Sequence, residues 1–382
     1  MRKLIKNMVL TALIAMLGVT SGAAQSVHQG GDHAATLKAA LADHFLIGTA
    51  LNEKQLAGKD SVGLELALTH FNTIVGENCM KASRLQPSEG VFDFRFADQL
   101  VALGEKNGMT VIGHTLIWHS QLPRWFGLEA GKQVSPDLLK QRMKTHIETV
   151  VKRYKGRVKG WDVVNEALND DGTYRHNIFY ELLGESYLPL AFQYAHEADP
   201  NAELYYNDYS MALPAKREGT LRLLKLLKAH GVRVDAVGMQ GHLGMDRSNH
   251  LKAFEASIVA FAAVGVKVMV TELDMSVLPW PGQHTGADIS QHFKFQQELN
   301  PYADGLPDDV SERWNKLMYD YFQLFIKHAQ VIDRVTVWGV ADGDSWKNNW
   351  PMMGRTDYPL LFDRQHQAKP VVEWLIRDYG ME

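Results

Sequence analysis

Residues 266–273 read Val-Lys-Val-Met-Val-Thr-Glu-Leu, a short run that is mostly apolar and carries a carboxylate near its end. Runs that are apolar throughout, rather than alternately apolar and polar, are typical of parallel strands buried on both faces. Similar β-rich runs occur at residues 45–51, 79–85, 109–116, 158–164, 202–206, 234–239 and 334–340. The sequence therefore predicts eight strands.

Amphipathic stretches and polar loops separate these runs. The stretches predict helices at residues 95–107, 136–154, 186–197, 214–230, 251–264, 311–328 and 370–379. Strands that alternate with helices form parallel βαβ units, and eight units favour an α/β protein with a single (β/α)8 TIM barrel over residues 37–382. An open doubly wound sheet is the alternative, but no Gly-x-Gly-x-x-Gly or Walker A sequence follows the first run.

The connection after the seventh predicted strand is unusually long. Residues 275–310 contain no clear strand or long helix, and loops of such length are uncommon in compact domains unless they are functional. This loop leaves the face on which TIM barrels keep their active sites. We expect it to shape one side of that site.

Composition excludes several classes of protein. A chain of 382 residues that is 46% hydrophobic can bury a large core. Its 40 basic and 44 acidic residues give a net charge of −4, so no basic surface for nucleic acid is indicated. Cys79 is the only cysteine, which excludes an intrachain disulfide and a cysteine-based zinc site. We interpret it as a packed residue of the second predicted strand.

The N-terminus has the pattern of a secretory signal peptide. Three basic residues precede an apolar run at residues 8–19, and small residues follow up to Ala24. We predict a signal peptide over residues 1–24, an N-terminal lead-in over residues 25–36 and the catalytic domain after it. A membrane anchor is the alternative, but the run is short for a membrane span. We expect a secreted or periplasmic bacterial protein that does not associate with a membrane after cleavage.

Two carboxylates carry the strongest indication of chemistry. Glu166 and Glu272 lie at the ends of the fourth and seventh predicted strands, and TIM barrels place catalytic groups at these C-terminal ends. Paired carboxylates on either side of a bond are the machinery of glycoside hydrolysis. The alternative is that each glutamate belongs to a structural ion pair.

Histidines and a lysine at other strand ends admit further interpretations. His114, His119 and His242 could form a zinc triad, but they lack the short helical spacing of zinc-binding histidines. Lys81 could form a Schiff base, as in aldolase-type barrels. Its neighbour Glu77 favours a sugar-binding cation instead. We expect neither a metal nor a cofactor, and we expect the histidines to bind carbohydrate or position a carboxylate.

Tryptophans are also concentrated at the predicted strand ends. Nine occur in the chain, and six fall at or just past these ends: Trp118, Trp125, Trp280, Trp338, Trp346 and Trp350. Amphipathic aromatic rings are common at binding surfaces. We expect Trp118, Trp338 and Trp346 to stack on sugar rings, with core packing as the alternative.

Four motifs resemble glycoside hydrolase family 10, whose members are mostly endo-β-1,4-xylanases. They are His-Thr-Leu-Ile-Trp-His at 114–119, Trp-Asp-Val-Val-Asn-Glu-Ala at 161–167, Tyr-Asn-Asp-Tyr at 206–209 and Val-Thr-Glu-Leu-Asp at 270–274. They occur in order, in the predicted barrel, and the resemblance covers about residues 37–378.

The resemblance implies endo-acting hydrolysis of internal β-1,4-xylosidic bonds with retention of anomeric configuration. Glu166 resembles the acid/base, Glu272 the nucleophile, Asn165 the group that bonds the sugar 2-hydroxyl, and His242 the group that orients the nucleophile. The implied partners are xylan and xylo-oligosaccharides. Further residues resemble sugar-binding groups: Glu77, Asn78, Lys81, His114, Trp118, His119, Gln121, Tyr209, Gln240, Trp338 and Trp346.

The chain departs from the family pattern in one motif. Ala82 and Ser83 stand where many members have Trp-Glu after Met-Lys, which puts tight binding at the distal non-reducing subsites in doubt. The loop at 275–310 is expected to act on the aglycone side. Other interpretations are an exo-acting enzyme, a barrel active on cellulose or mannan, a catalytically inactive sugar-binding barrel and a metal-dependent hydrolase.

Overall fold

The structure is a computed structural model that describes residues 35–245, 250–282 and 286–380. The predicted signal peptide at 1–24 and nearly all of the predicted lead-in lie outside the described residues, so both stay predictions. Among the described residues, no helix has the length and apolar character needed to cross a membrane.

Eight parallel strands form a closed barrel, which confirms the predicted fold. Each strand pairs with its neighbours in the sequence, and the eighth pairs with the first, with Leu46 opposite Arg334. The strands are β1 (Leu46–Leu51), β2 (Thr73–Gly76), β3 (Thr110–Trp118), β4 (Gly160–Asn165), β5 (Glu203–Asp208), β6 (Ala236–Met239), β7 (Lys267–Ser276) and β8 (Ile332–Val337). Because the sheet closes, no barrel strand presents a free edge.

Helices cover the outside of the barrel. They are α1 (Leu37–Ala40), α2 (Glu53–Leu56), α3 (Ser61–His70), α4 (Ala82–Leu85), α5 (Arg95–Lys106), α6 (Pro136–Arg153), α7 (Ile178–Leu183), α8 (Tyr187–Ala198), α9 (Pro214–Ala229), α10 (His250–Ala263), α11 (Asp308–Lys327) and α12 (Pro370–Tyr379). Local sequence sets the start of α6. The Ser135 side chain caps the helix by accepting a hydrogen bond from the Leu138 N–H, and a proline, which suits the first turn, follows it.

The core explains why the strands are not alternately polar. In β7, Val268 and Val270 belong to the large cluster that includes the helices, whereas Met269 belongs to a separate cluster with Val75 and Ile112. Alternate side chains of a strand point to opposite faces. Both faces of β7 are therefore buried, as the opening run of the sequence predicts.

The second strand lies elsewhere than predicted. Residues 79–85 form a turn followed by α4, and β2 is the shorter run Thr73–Gly76. Cys79 is not a strand residue but a buried residue of that turn, and burial raises the pKa of its thiol to about 12. The apolar residues of 79–85 pack into the core from a helix and a turn, so hydrophobicity without clear periodicity was an ambiguous signal there.

The long connection after β7 is confirmed. Between the end of β7 at Ser276 and the start of α11 at Asp308, the described residues contain a single 3₁₀ turn, Gln297–Leu299. Several contacts attach this loop to its surroundings, and two of them lie in its middle part. The Phe293 N–H donates to the carbonyl of Pro351 at 2.9 Å, and the carboxylate of Asp288 lies 3.3 Å from Arg175.

Candidate active site

A cavity of about 400 Å³ lies where side chains from the C-terminal ends of the strands converge. Thirteen of the fifteen predicted site residues line it, namely Glu77, Asn78, Lys81, His114, Trp118, Gln121, Asn165, Glu166, Gln240, His242, Glu272, Trp338 and Trp346. His119 and Tyr209 do not. The barrel topology brings these residues together, because every parallel strand ends at the same face.

Glu166 is held in an unusual backbone conformation just after β4. Its φ is +57°, in the left-handed region that non-glycine residues rarely occupy, and its N–H donates to the carbonyl of Asn207 at 2.9 Å. Its carboxyl accepts hydrogen bonds from Trp118 Nε1 at 2.7 Å and from Gln240 Nε2 at 3.0 Å. These contacts aim the carboxyl into the cavity.

The environment of Glu166 favours the protonated form. Burial, and next the negative charge of Asp208, raise the pKa of Glu166 to about 7, and Glu272 adds to this effect. The charge of Asp208 thus contributes more than that of the facing Glu272. A carboxyl with this pKa can donate a proton near neutral pH.

Glu272 is held as a carboxylate. Burial by itself would raise its pKa, but the hydrogen bond from His242 and the positive charges around it lower the pKa below its usual value. Asn207 Nδ2 donates to Oε1 at 2.8 Å, and His242 Nε2 lies 3.2 Å from Oε2. Two carboxyls whose pKa values are driven apart can divide the roles of acid and nucleophile.

His242 links Glu272 to a second carboxylate, Asp274. Its Nδ1 lies 2.9 Å from Asp274 Oδ2, while its Nε2 faces Glu272. Burial would lower the pKa of His242, but the charge of Asp274 and the hydrogen bonds to both carboxylates raise it. The raised pKa favours the protonated imidazole, in which both nitrogens can donate, one to each carboxylate.

Asn207 links the surroundings of Glu166 to those of Glu272, and it was not among the predicted site residues. Its Nδ2 donates to Asn165 Oδ1 at 3.0 Å as well as to Glu272, and its own Oδ1 accepts from Thr271 Oγ1 at 2.6 Å. Asn165 Nδ2 in turn lies 3.3 Å from Glu166 Oε1. The signal was present, because Asn207 lies in the Tyr-Asn-Asp-Tyr motif at the end of β5.

The other side of the cavity is a cluster of polar groups around Lys81. Lys81 Nζ donates to Asn78 Oδ1 at 3.0 Å and lies 5.0 Å from the Trp118 ring. His114 Nδ1 lies 2.8 Å from the buried carboxylate of Asp162. These fixed donors and rings suit a sugar, whose hydroxyls need hydrogen bonds and whose faces need apolar contact.

Tyr209 and His119 are placed outside the cavity. Tyr209 is buried, its hydroxyl accepts a hydrogen bond from Arg175, and it lines a smaller neighbouring pocket. The ring lies against Gly286 of the long loop, which covers it. His119 is partly buried, and burial together with the charge of Arg175 lowers its pKa to about 3, so it is neutral.

Five further residues line the cavity, and all but Trp350 were missed by sequence reasoning. They are Asn349 and Trp350 in the loop after β8, and Ala287, Ile289 and His292 in the long loop after β7. Trp350 had a signal, because it is one of the tryptophans past a strand end. The loop residues had none, since no strand end or motif marks them.

The remaining tryptophans divide between packing and the site. Trp125 stacks on Phe126 at 4.2 Å and its Nε1 donates to the carbonyl of Gln86, so it serves packing. Trp280 meets Trp350 edge to face at 5.8 Å. Trp350 stacks on Trp346 at 4.5 Å, so Trp280 of the long loop is linked through Trp350 to a residue that lines the cavity.

Two of the three histidines considered for zinc have separate carboxylate partners, and among the described residues His119 Nδ1 has no hydrogen-bond partner. His114 pairs with Asp162, and His242 with Asp274 and Glu272. In the part of the chain that the structure describes, the one cluster of three potential ligands within reach of a common ion is Asp60, Asp344 and His366. None of the three histidines belongs to it.

Comparison with known proteins agrees with this geometry. The family model of Glycosyl hydrolase family 10 matches residues 36–378. The chain is 50% identical to endo-1,4-beta-xylanase A of Xylanibacter ruminicola, over 90% of this chain and 93% of that protein. It is 38% identical to an endo-1,4-beta-xylanase of Geobacillus stearothermophilus, over 88% of this chain and 96% of that protein.

Solved structures show the same likeness. An endoxylanase from a sugarcane soil metagenome superposes with a TM-score of 0.86 at 41% identity, covering 89% of this chain and 99% of that one. A xylanase of Thermoanaerobacterium saccharolyticum, solved as a mutant with xylotriose, gives a TM-score of 0.77 at 35% identity, covering 89% and 97%. Motifs, barrel and paired carboxyls lead to one conclusion: the chain belongs to glycosyl hydrolase family 10.

Proposed function

We propose that this protein hydrolyses internal β-1,4-xylosidic bonds of xylan with retention, using Glu166 as acid/base and Glu272 as nucleophile. The observation that carries the proposal is the pair of buried carboxyls with opposed pKa shifts, joined through Asn165 and Asn207. The names of the relatives, endo-1,4-beta-xylanases over most of this chain, support xylan as the substrate.

In the first step Glu272 attacks the anomeric carbon. The bond from that carbon to the glycosidic oxygen breaks, and the oxygen takes the proton of Glu166 as it leaves. Glu272 becomes a neutral ester of the sugar, and Glu166, having lost its proton, becomes a carboxylate. Trp118 and Gln240, which donate to Glu166, are placed to stabilise this new charge.

In the second step the roles reverse. Glu166 takes a proton from water as the water oxygen attacks the anomeric carbon, and the ester bond to Glu272 breaks. Glu272 leaves as a carboxylate, which Asn207 and His242 are positioned to bond. Two inversions at one carbon give net retention. Glu166 recovers its proton, so the cycle closes.

The proposed mode of attack is tested by the products formed from a defined xylan over time. We expect mixed short xylo-oligosaccharides from the first samples, because an endo enzyme cuts at many internal positions. A parallel assay on a soluble β-glucan should release far less sugar. A single small product from the start, or faster cleavage of the glucan, would contradict the proposal.

The pH profile tests the proton donor. Because Glu166 must be protonated and its pKa is about 7, kcat/KM should fall as the pH rises through about 7. The Trp118 N–H bond lowers the pKa of Glu166, so Trp118→Phe should move this falling limb to higher pH. Trp338→Phe, which changes a ring of the same cavity that has no such bond, is the matched control. A limb that stays in place or moves to lower pH in Trp118→Phe would argue against Glu166.

We also propose that the protein is exported and cleaved after Ala24. The support is the pattern of basic residues, apolar run and small residues over residues 1–24. Expression of the full chain in a bacterial host should yield periplasmic or extracellular protein that begins at Gln25. Leu13→Arg, which interrupts the apolar run, should leave the precursor in the cytoplasm; an uncleaved, membrane-bound wild type would favour the anchor instead.

A further inference from the structure

A lysine without a role in the proposed mechanism is buried behind the nucleophile. Lys347 lies in the 3₁₀ turn Trp346–Asn348 after β8, and only 1% of its surface is exposed. Its Nζ lies 3.6 Å from Asp274 Oδ1. A buried ammonium is costly unless an opposite charge compensates it, so this placement calls for an explanation.

Three tryptophan rings surround the ammonium group. Lys347 Nζ lies 4.6 Å from the ring centroid of Trp280, 4.8 Å from that of Trp346 and 5.2 Å from that of Trp350. Within the described part of the chain, neither Nζ nor Asp274 Oδ1 has a hydrogen-bond partner. Burial lowers the pKa of Lys347, while the ion pair with Asp274 and the cation–π contacts favour its charged form.

Asp274 connects Lys347 and the three tryptophans around it to His242 and Glu272. Its Oδ2 accepts from Trp346 Nε1 at 2.8 Å and from His242 Nδ1 at 2.9 Å, and His242 reaches Glu272. Lys347, Asp274, His242 and Glu272 thus form a row of charges of alternating sign. Trp346, which shares Asp274 with His242, lines the cavity.

We propose that Lys347 is a positioning residue for glycoside cleavage. From between the rings of Trp280, Trp346 and Trp350, it neutralises the charge of Asp274. Asp274 in turn keeps His242 in contact with Glu272 and keeps Trp346 in place at the wall of the cavity. The inference rests on the proposed function. Without the lysine, the three remaining charges sum to −1 in a buried site. Asp274 would then accept a proton more readily and lose its hold on the imidazole.

Two other charges face the lysine, Asp357 and Arg355. Asp357 already accepts hydrogen bonds from Ser276 Oγ and from the Val277 and Tyr358 N–H groups. Arg355 carries the same sign as Lys347 and cannot replace it as a partner. Asp274 is thus the carboxylate that depends on Lys347.

Lys347→Met, which keeps the length of the side chain and removes its charge, tests the proposal. We expect kcat on xylo-oligosaccharides to fall about tenfold, the usual size of coupling between groups in one ion-pair network. The activity should also fall at acid pH, where Glu272 and the Asp274 that supports it through His242 take up protons. This acid limb should move up by about one pH unit, because loss of the cation raises the pKa of Asp274. The alkaline limb, which Glu166 sets, should move much less. A merely structural role would not shift the acid limb.

Lys369 offers a matched control. It is also a buried lysine, 2.9 Å from Asp342 Oδ2 and 4.0 Å from the ring centroid of Trp314, but no contact ties it to Asp274. Lys369→Met should lower the unfolding temperature and leave the acid limb unchanged.

Lys347→Arg keeps the charge and should restore the position of the acid limb. Lys347→Gln is the neutral variant to use if the methionine variant does not fold.

The outcomes separate the two proposals. An acid limb that coincides in the wild type and in the neutral Lys347 variants would overturn the role of Lys347 and leave the xylanase intact. The same holds if Lys347→Arg behaves like the neutral variants, since packing and not charge would then matter. Absence of xylan cleavage by the wild type and by Lys369→Met would instead overturn the proposed function.

Discussion

Glu272→Ala is expected to lose hydrolysis of every substrate, natural or activated. Without the nucleophile no ester to the enzyme can form, and losing a residue that acts as part of a catalytic unit lowers kcat by on the order of 10⁵-fold. The fold should survive, because Glu272 lines a cavity and His242 and Asn207 keep their contacts with Asp274 and Asn165. The measurement is kcat on xylan and on an aryl xylobioside, with the unfolding temperature as a check on folding.

An added small anion makes this prediction sharper. Azide can enter the space vacated by the carboxylate and attack the anomeric carbon from the same side. One inversion then gives a glycosyl azide of α configuration from a β-linked aryl substrate. A β azide product, or hydrolysis at more than a few per cent of the wild-type rate, would place the nucleophile on another residue.

Glu166→Ala is expected to separate the two steps of the reaction. An activated phenol leaves without a proton, so the ester to Glu272 should still form and release a burst of phenol equal to the enzyme concentration. The second step should then stall for want of a base. On xylan, whose leaving alkoxide needs the proton, kcat should fall by about 10²–10⁴-fold. Intact-protein mass should show one bound glycosyl group.

Azide again distinguishes the residue. It attacks the accumulated ester without needing a base, and two inversions give a glycosyl azide of β configuration. Glu166→Gln keeps the shape of the side chain, but its single amide oxygen can accept from only one of Trp118 and Gln240. It also lacks the acid and the base, so it should behave like Glu166→Ala. Equal loss of activity on activated and natural substrates, without a burst, would show that Glu166 is not the acid/base.

The fold could be predicted from local sequence features because each strand and helix has its own pattern. The run at 266–273 indicates a buried strand by itself, and its counterpart in the structure, β7, contains nearly all of it. The second strand was misplaced because Thr73–Gly76 is four residues long and a longer stretch with four apolar residues, at 79–85, follows it. Short strands give too few residues for a period to be recognised.

The site could be predicted only in part, for a related reason. A parallel barrel places all strand ends at one face, so residues that follow strands could be assigned to it. No such rule exists for loop residues, and no sequence pattern predicted that Ile289 and His292 line the cavity. Tyr209 was expected in the cleft, yet the loop segment at Gly286 covers it. Contacts between loops depend on distant parts of the chain.

The sequence by itself determined the barrel, the two carboxyls and the aromatic face, because these depend on patterns within single segments. Only the tertiary structure decided which charged groups lie close enough to shift the pKa of one another. Asp208 raises the pKa of Glu166 from the neighbouring strand, and Lys347 reaches Asp274 from the loop after β8. Electrostatic effects fall off with distance and grow with burial, and both are properties of the folded chain.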